Sequence, residues 1–508
     1  MKIFTTKELQ HIFNKTAEKD DEAGVGLMER TSGAVACEII SRWRPNKRFV
    51  LFAGPGHNGC ISLGVAHHLL EQGYRLEVFL FNVPSMPISE ECRQGRDKLL
   101  EMPDIDFTEV TTSFEMPYLS KEDVVIDGLF GTGLTEPLKG GFTALVQYIN
   151  SSGAYVVSID MPSGLMGEWN ENNDRRNIIN ANLTLTYQLK RLSFFFAENA
   201  GCLGECKVLD IDLDREEIRK QASNYFLVEA NDVRHRLKAR NEFSHKYDYG
   251  TMLLAAGSYG MYGAAVLAAK AALRAGVGLL NVFTPRSGFA VLQNSVPEAV
   301  NEYDKDNLVL SDIRMSRTYT SVAIGPGIGT KDDTVNALDA FMKNCHQPIV
   351  LDADALNCIA ARPALLESIP PMSVLTPHAG EFDRLFGKHF SDESRLRKAM
   401  EVTKRYSIII LLKGRYTMIV RPDKKVYINS TGTPALATPG SGDVLTGIIA
   451  GFAAQGYEME RSAAMGAYVH GLAGEKAEVT LGQYSVTASD IVAHIGPAIK
   501  EIMSKREN

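Results

Sequence analysis

Short apolar runs alternate with longer amphipathic stretches along the whole chain, and the alternation restarts once near the middle. In the first half, Arg48–Ala53, Arg75–Phe81, Asp123–Asp127 and Tyr155–Asp160 are β-rich runs. Helical patterns such as Ile61–Gln72 and Phe142–Ile149 fill the gaps between them. Strand, helix and strand in repetition predict a doubly wound parallel sheet, with ligands beyond the carboxyl ends of its strands. The segments GPGHNG, DGLFGTG and DMPSG each follow a predicted strand directly. Ahead of them, Thr6–Trp43 predicts a helical arm long enough to pack across a partner subunit.

Strand character returns at Lys207–Asp212 and fails over the charged stretch Asp214–Asn224, which sets a boundary between domains at 1–222 and 226–508. Beyond it, Thr251–Ala256, Gly278–Phe283, Ser321–Ile324, Pro348–Asp352, Ser373–Thr376 and Ile408–Lys413 are predicted strands. Ala264–Ala275 predicts a helix closed by Gly276. The fold class is therefore α/β in both halves, the first of them Rossmann-like.

A length of 508 residues exceeds what one core supports, which agrees with two domains. The net charge of -7 gives no basis for a nucleic-acid or membrane-surface partner. The charged N-terminus lacks the apolar centre of a signal peptide, and no run approaches the roughly 18 apolar residues of a membrane span. Seven scattered cysteines, with Cys202 and Cys206 lacking a second pair, predict reduced thiols in a cytoplasmic protein rather than a zinc site.

The most informative segment is Thr438–Gly451, TPGSGDVLTGIIAG. Gly440, Ser441 and Gly442 predict a tight turn opening an apolar helix over Val444–Ala454. Backbone N–H groups there, with the helix dipole, make an anion pocket. Asp443 sits in its first turn, where a carboxylate beside phosphate has a use as a general base for an attacking hydroxyl. The same aspartate also fits a plain helix N-cap. Lys413–Thr417 (KGRYT) and Asn429–Thr433 (NSTGT) end strands and can contact an adenine nucleotide. TPHAGE places His378 and Glu381 at the same edge, while Asp352 and Asp354 of DADALN fit either ligand binding or helix capping.

The ordered set Ser244–Lys246, GAAVLAAKAALRAG, GPGIG, DADALN, LTPHAGE, LLKGRYT and PGSGDVLTG resembles the ADP/ATP-dependent NAD(P)HX dehydratases. The resemblance implies a ribokinase-like second domain that phosphorylates the C6 hydroxyl of the S epimer of hydrated NADH or NADPH; phosphate then leaves. By position, Asp443 takes the hydroxyl proton. Lys413, Gly414, Arg415, Tyr416, Thr417 and Gly442 hold the nucleotide, ADP more than ATP, with Mg2+. Ala264, Gly327 and His378 line the dinucleotide site. Tyr247 stands where the family has glycine.

The first half resembles the NAD(P)HX epimerases through LMERTSG, VIDGLFGTGLTEP and SIDMPSG. That resemblance implies a potassium ion on Asn58, Asp127 and Ser163, and Asp160 as the acid–base group. It also implies a substrate site over His57, Asn58, Gly59, Cys60 and Ile61 and over Gly131, Thr132, Gly133, Leu134, Thr135, Glu136 and Pro137, with Lys190 as a further anion contact. The chain departs from the family motif at His57, Cys60 and Ile61, which replace asparagine, glycine and aspartate. Loss of the polar contact at Ile61 predicts a weakened epimerase.

The favoured expectation is a bifunctional repair enzyme acting on small molecules, without nucleic acid or membrane, as a homo-oligomer. The alternatives are a dehydratase with a non-catalytic first domain acting as scaffold, and a ribokinase-type small-molecule kinase.

Overall fold

The computed structural model describes residues 1–23, 26–103 and 105–504. Positions 24 and 25 of the expected arm, and 505–508 of the expected second domain, lie outside the described residues. The chain divides into two compact units, Lys2–Ser223 and, together with Met1, Asn224–Asn508.

In the first unit, helices α1 (Thr6–Ala23) and α2 (Leu27–Arg42) precede strand β1 (Arg48–Ala53) and helix α3 (His57–Glu71). The strands β2 (Arg75–Phe81), β3 (Asp106–Val110), β4 (Val124–Gly128), β5 (Tyr155–Ile159), β6 (Leu183–Tyr187) and β7 (Glu205–Leu209) complete one sheet. Its order is β3-β2-β1-β4-β5-β6-β7, and every pairing is parallel. Phe49–Ala53 are fully buried because the sheet carries helices on both faces. Val50, Phe52, Phe79, Val125 and Ile149 share one core. The order reverses between β1 and β4, which opens a crevice beyond their carboxyl ends.

In this first unit three elements depart from the sequence reading. β3 and β6 were not predicted: β3 is half-exposed, and the threonines of LTLTY disguise β6, although Thr184 and Thr186 are buried. α3 starts at His57 rather than Ile61, because Gly56 is extended and Cys60 N–H already bonds Gly56 O at 3.1 Å.

The second unit carries β8 (Tyr225–Val228), β9 (Thr251–Ala255), β10 (Leu279–Thr284), β11 (Val300–Tyr303), β12 (Ser321–Ile324), β13 (Val350–Leu351), β14 (Val374–Leu375), β15 (Ile409–Leu412), β16 (Met418–Val420) and β17 (Val426–Asn429). They lie in the order β8-β17-β16-β15-β14-β13-β12-β9-β10-β11. Only β16 runs against its neighbours. The predicted strands Pro348–Asp352 and Ser373–Thr376 shorten to β13 and β14, which ends them where the site loops begin.

Helices α4 (Tyr262–Ala275), α5 (Asp354–Ala361), α6 (Ala379–Phe386), α7 (Ser441–Ala454) and α8 (Met459–Leu481) flank this sheet. Ala268, Ala269 and Ala272 of α4 pack against Leu445 and Ile449 of α7, small residues letting two apolar helices approach. α7 begins at Ser441, so Ser441 and Gly442 belong to the helix and not to the turn before it. Among the described residues, no helix is long and apolar enough to cross a membrane.

Candidate active sites

In the second unit the site forms where α7 meets the ends of β13, β14 and β15. Gly440 has φ +85°, a left-handed conformation that turns the chain into α7 without a Cβ penalty. A Cβ there would also lie 2.5 Å from Leu267 Cδ1, so a side chain would have to displace that leucine as well as strain the backbone. Asp443 falls in the first turn of α7 and is mostly buried. Burial first, then the charge of Asp352, pushes its carboxyl up to about 7; Asp354 and Glu381 add to the rise and Lys413 opposes it. The group is therefore poised to exchange a proton near neutral pH.

Lys413, at the end of β15, pairs with Asp352 at 2.7 Å, and Thr446 of α7 donates to the other oxygen of that carboxylate at 2.6 Å. A Cβ on Gly442 would lie 3.2 Å from Lys413 Nζ, which puts this ammonium over the start of α7. Ser441 Oγ lies 3.1 Å from Nε2 of His470 on α8, and burial pushes that imidazole down to about 4, so it is neutral. Arg415 stacks over Tyr416 with 4.9 Å to the ring centroid. Its guanidinium also comes within 3.6 Å of the Cβ position of Gly432, so the KGRYT and NSTGT loops meet. Thr417 Oγ1 closes the first of them onto Gly414 O at 3.3 Å.

Gly327, at φ +64°, would place a Cβ 3.2 Å from Ala264 Cβ, so these two expected dinucleotide contacts are neighbours. His378 caps α6: its Nδ1 accepts from Gly380 N at 3.0 Å, and its side chain is otherwise exposed. Asp354 Oδ2 accepts from Gly329 N at 2.9 Å, tying the GPGIG loop to α5. Tyr247 is exposed.

In the first unit a cavity of about 860 Å³ opens in the crevice between β1 and β4. His57, Asn58 and Ile61 line it, as do Gly131, Thr132, Gly133, Leu134, Thr135, Glu136, Pro137 and Asp160. Gly59 and Cys60 do not. A Cβ on Gly59 would lie 1.7 Å from Gly54 O, so this glycine lets α3 touch the loop before it. Cys60 lies beside the Cys92 thiol and is absent from the cavity lining. Thr6, Gln10, Phe13 and Asn14 of α1 also line the cavity, so this part of the arm packs on its own unit.

Asp160 has φ +65°, a left-handed conformation rare outside glycine, and it follows β5 directly. Thr132 donates to Asp160 Oδ2 from its backbone N at 2.7 Å and its hydroxyl at 2.6 Å. Arg191 Nη2 binds Oδ1 at 2.7 Å, and Arg191 Nε binds Thr132 Oγ1 at 2.9 Å. That guanidinium is 1% exposed. Tyr187 also lines the cavity with a buried, unpartnered hydroxyl; burial and then Asp160 push its phenol well above the ordinary value. Beneath the cavity, Asp127 is fully buried and accepts from Ser158 Oγ at 2.7 Å, Ser163 N at 2.9 Å and Ser163 Oγ at 2.5 Å. Burial pushes its carboxyl upward against those bonds. Asn58 Oδ1 is buried without a hydrogen-bond partner.

Sequence reasoning missed Arg191, Tyr187 and the contribution of α1. Recognising LTLTY as a strand would have marked Arg191, four residues past its carboxyl end; the expected anion contact, Lys190, is outside the cavity lining.

Residues 252–496 match the family model described as NAD(P)H-hydrate dehydratase, and residues 25–193 match that of the YjeF-related protein N-terminus. The chain is 35% identical over 528 residues to the bifunctional NAD(P)H-hydrate repair enzyme Nnr of Moorella thermoacetica, covering 100% of this chain and 98% of that one. It is 32% identical over 522 residues to its counterpart from Thermofilum pendens, with the same coverage. Among solved structures, the ADP/ATP-dependent NAD(P)H-hydrate dehydratase of Bacillus subtilis, co-crystallised with ATP/Mg2+, is 32% identical. It covers 55% of this chain and 100% of its own, with a TM-score of 0.49. Full-length relationship at this identity, with both halves matched in order, makes the chain a member of the bifunctional NAD(P)H-hydrate repair enzyme family.

Proposed function

We propose that the second unit dehydrates the S epimer of hydrated NADH and NADPH with ADP, and that the first unit interconverts the R and S epimers. The observation that carries this reading is the Asp443 carboxyl, raised to about 7 in the first turn of a glycine-led helix beside Lys413. As a carboxylate it takes the proton of the C6 hydroxyl. The oxygen then attacks the terminal phosphoryl group of ADP, forming a C6–O–P link as the bond to AMP breaks. Backbone N–H groups at the start of α7 and the Lys413 ammonium stabilise the transferring charge. Phosphate, a better leaving group than hydroxide, departs from C6 as a proton leaves C5, and the ring double bond returns.

Mg2+ would enter with the nucleotide, held by phosphate oxygens and the carboxylates around Asp443, and would neutralise phosphate charge. Potassium fits the first unit. Asn58 Oδ1 is a buried oxygen without a partner, and among the described residues the donors to Asp127 are all neutral. Asn58, Asp127 and Ser163 would hold the ion, which would supply positive charge beneath the substrate. Asp160, fixed by Arg191 and Thr132, is positioned as the acid–base group, with Tyr187 beside it. The family departures leave this site open: Cys60 faces away, and Ile61 adds an apolar surface. Seven free thiols support a reducing, cytoplasmic setting.

The test is a mixed pool of R and S NADHX supplied with ADP, followed by the absorbance of regenerated NADH. Complete recovery, with one phosphate released per NADH, is expected. Recovery that stops near the S fraction would assign the first unit a non-catalytic role. Accumulation of a stable phosphorylated product would make the second unit a kinase.

A further inference from the structure

The last two turns of α3, away from the cavity at its first turn, carry a group of side chains that neither activity uses. His67, His68 and Glu71 present ligand atoms that all lie within 4.8 Å of one another. His67 Nδ1 is 3.7 Å and His68 Nδ1 is 3.8 Å from Glu71 Oε2. From these positions we infer a binding site for a divalent transition-metal ion such as Zn2+, held by His67 Nδ1, His68 Nδ1 and Glu71 Oε2 with water in the fourth position.

The chemistry of the donors selects the ion. Two imidazoles and one carboxylate suit Zn2+, Ni2+ or Co2+ and do not suit Mg2+ or K+. Tetrahedral zinc with bonds of about 2.0–2.1 Å sets its ligands about 3.3 Å apart, so the 3.7 and 3.8 Å histidine–glutamate separations, and the histidine pair within 4.8 Å, must close by rotation of side chains that are partly exposed.

A second feature points the same way. His68 Nε2 faces Glu29 Oε1 of α2 at 3.2 Å, outside hydrogen-bond geometry, and is a buried nitrogen without a hydrogen-bond partner. Metal-bound histidines characteristically donate their other ring N–H to a carboxylate, which fixes the tautomer and aims the free lone pair at the ion. Glu29 stands where that partner belongs. A proton on Nε2 then leaves Nδ1 free for the metal, and a small turn of the ring completes the bond to Glu29. The ion would fasten α2 to the last turns of the helix whose first turn presents His57 and Asn58 to the cavity.

Titration of the full chain with ZnCl2 alone, without nucleotide, by isothermal calorimetry tests the site, with Co2+ as a spectroscopic probe. One saturable zinc per chain and the visible absorption of tetrahedral cobalt are expected. Both should disappear in His68→Ala and in His67→Ala. Glu29→Gln should weaken zinc roughly tenfold or more while keeping the stoichiometry. Circular dichroism of each variant reports folding separately. No saturable zinc on the native chain, or equal binding and an unchanged cobalt spectrum in folded His67→Ala and His68→Ala, would overturn the site.

Discussion

Replacing Asp443 with asparagine should make the second unit more stable while removing its activity. The carboxyl rises from 3.8 to about 7 because burial and the neighbouring Asp352 disfavour its charge. Between those values the native state keeps a proton that the unfolded chain has released, so stability falls as pH rises across that window. That rise from 3.8 to about 7 corresponds to about 4 kcal/mol of destabilisation above pH 7. Asparagine keeps the shape and carries no charge. Asp443→Asn should therefore gain up to about 4 kcal/mol near pH 8 and under about 1 kcal/mol near pH 4. Both tryptophans, Trp43 and Trp169, lie in the first unit, so fluorescence does not follow this transition. Hydrogen exchange of the buried β12 amides, or pulse proteolysis in urea, does. Equal gains at both pH values, or a loss near pH 8, would refute the desolvated charge.

Two further substitutions probe the first unit. Arg191→Met removes the buried partner of Asp160 and should destabilise that unit by about 3–5 kcal/mol, read by tryptophan fluorescence in urea. A change within error would mean that the pair carries little. Gly59→Ala forces a methyl group against Gly54 O and should lower the midpoint of the same transition, at a cost of about 1–3 kcal/mol.

Much of this architecture is written locally. Parallel strands buried on both faces read as continuous apolar runs, which is why Arg48–Ala53 and Arg75–Phe81 are legible residue for residue. Strand β6 escapes because its threonines are polar in isolation and buried only by the helices that cover them. The glycine-led start of α7 is legible because phosphate binding needs small residues at fixed spacing. The rise of Asp443 is not, because it depends on burial, and then on carboxylates at 352, 354 and 381, that only the folded sheet provides. Arg191 was hidden for a related reason: its meaning comes from a carboxylate 31 positions away. Cys60 differs in another way: the motif places it in the substrate site, yet the helix turns its thiol toward Cys92 and away from the cavity lining.

Dehydration of purified (6S)-NADHX with saturating ADP, measured from pH 5.5 to pH 9, tests the role of Asp443 most directly. The rate should climb with pH and level off past an inflection near 7, and Asp443→Asn should lose at least about two orders of magnitude throughout. A flat profile in the native enzyme, together with substantial turnover by a folded Asp443→Asn, would contradict proton removal by this carboxylate.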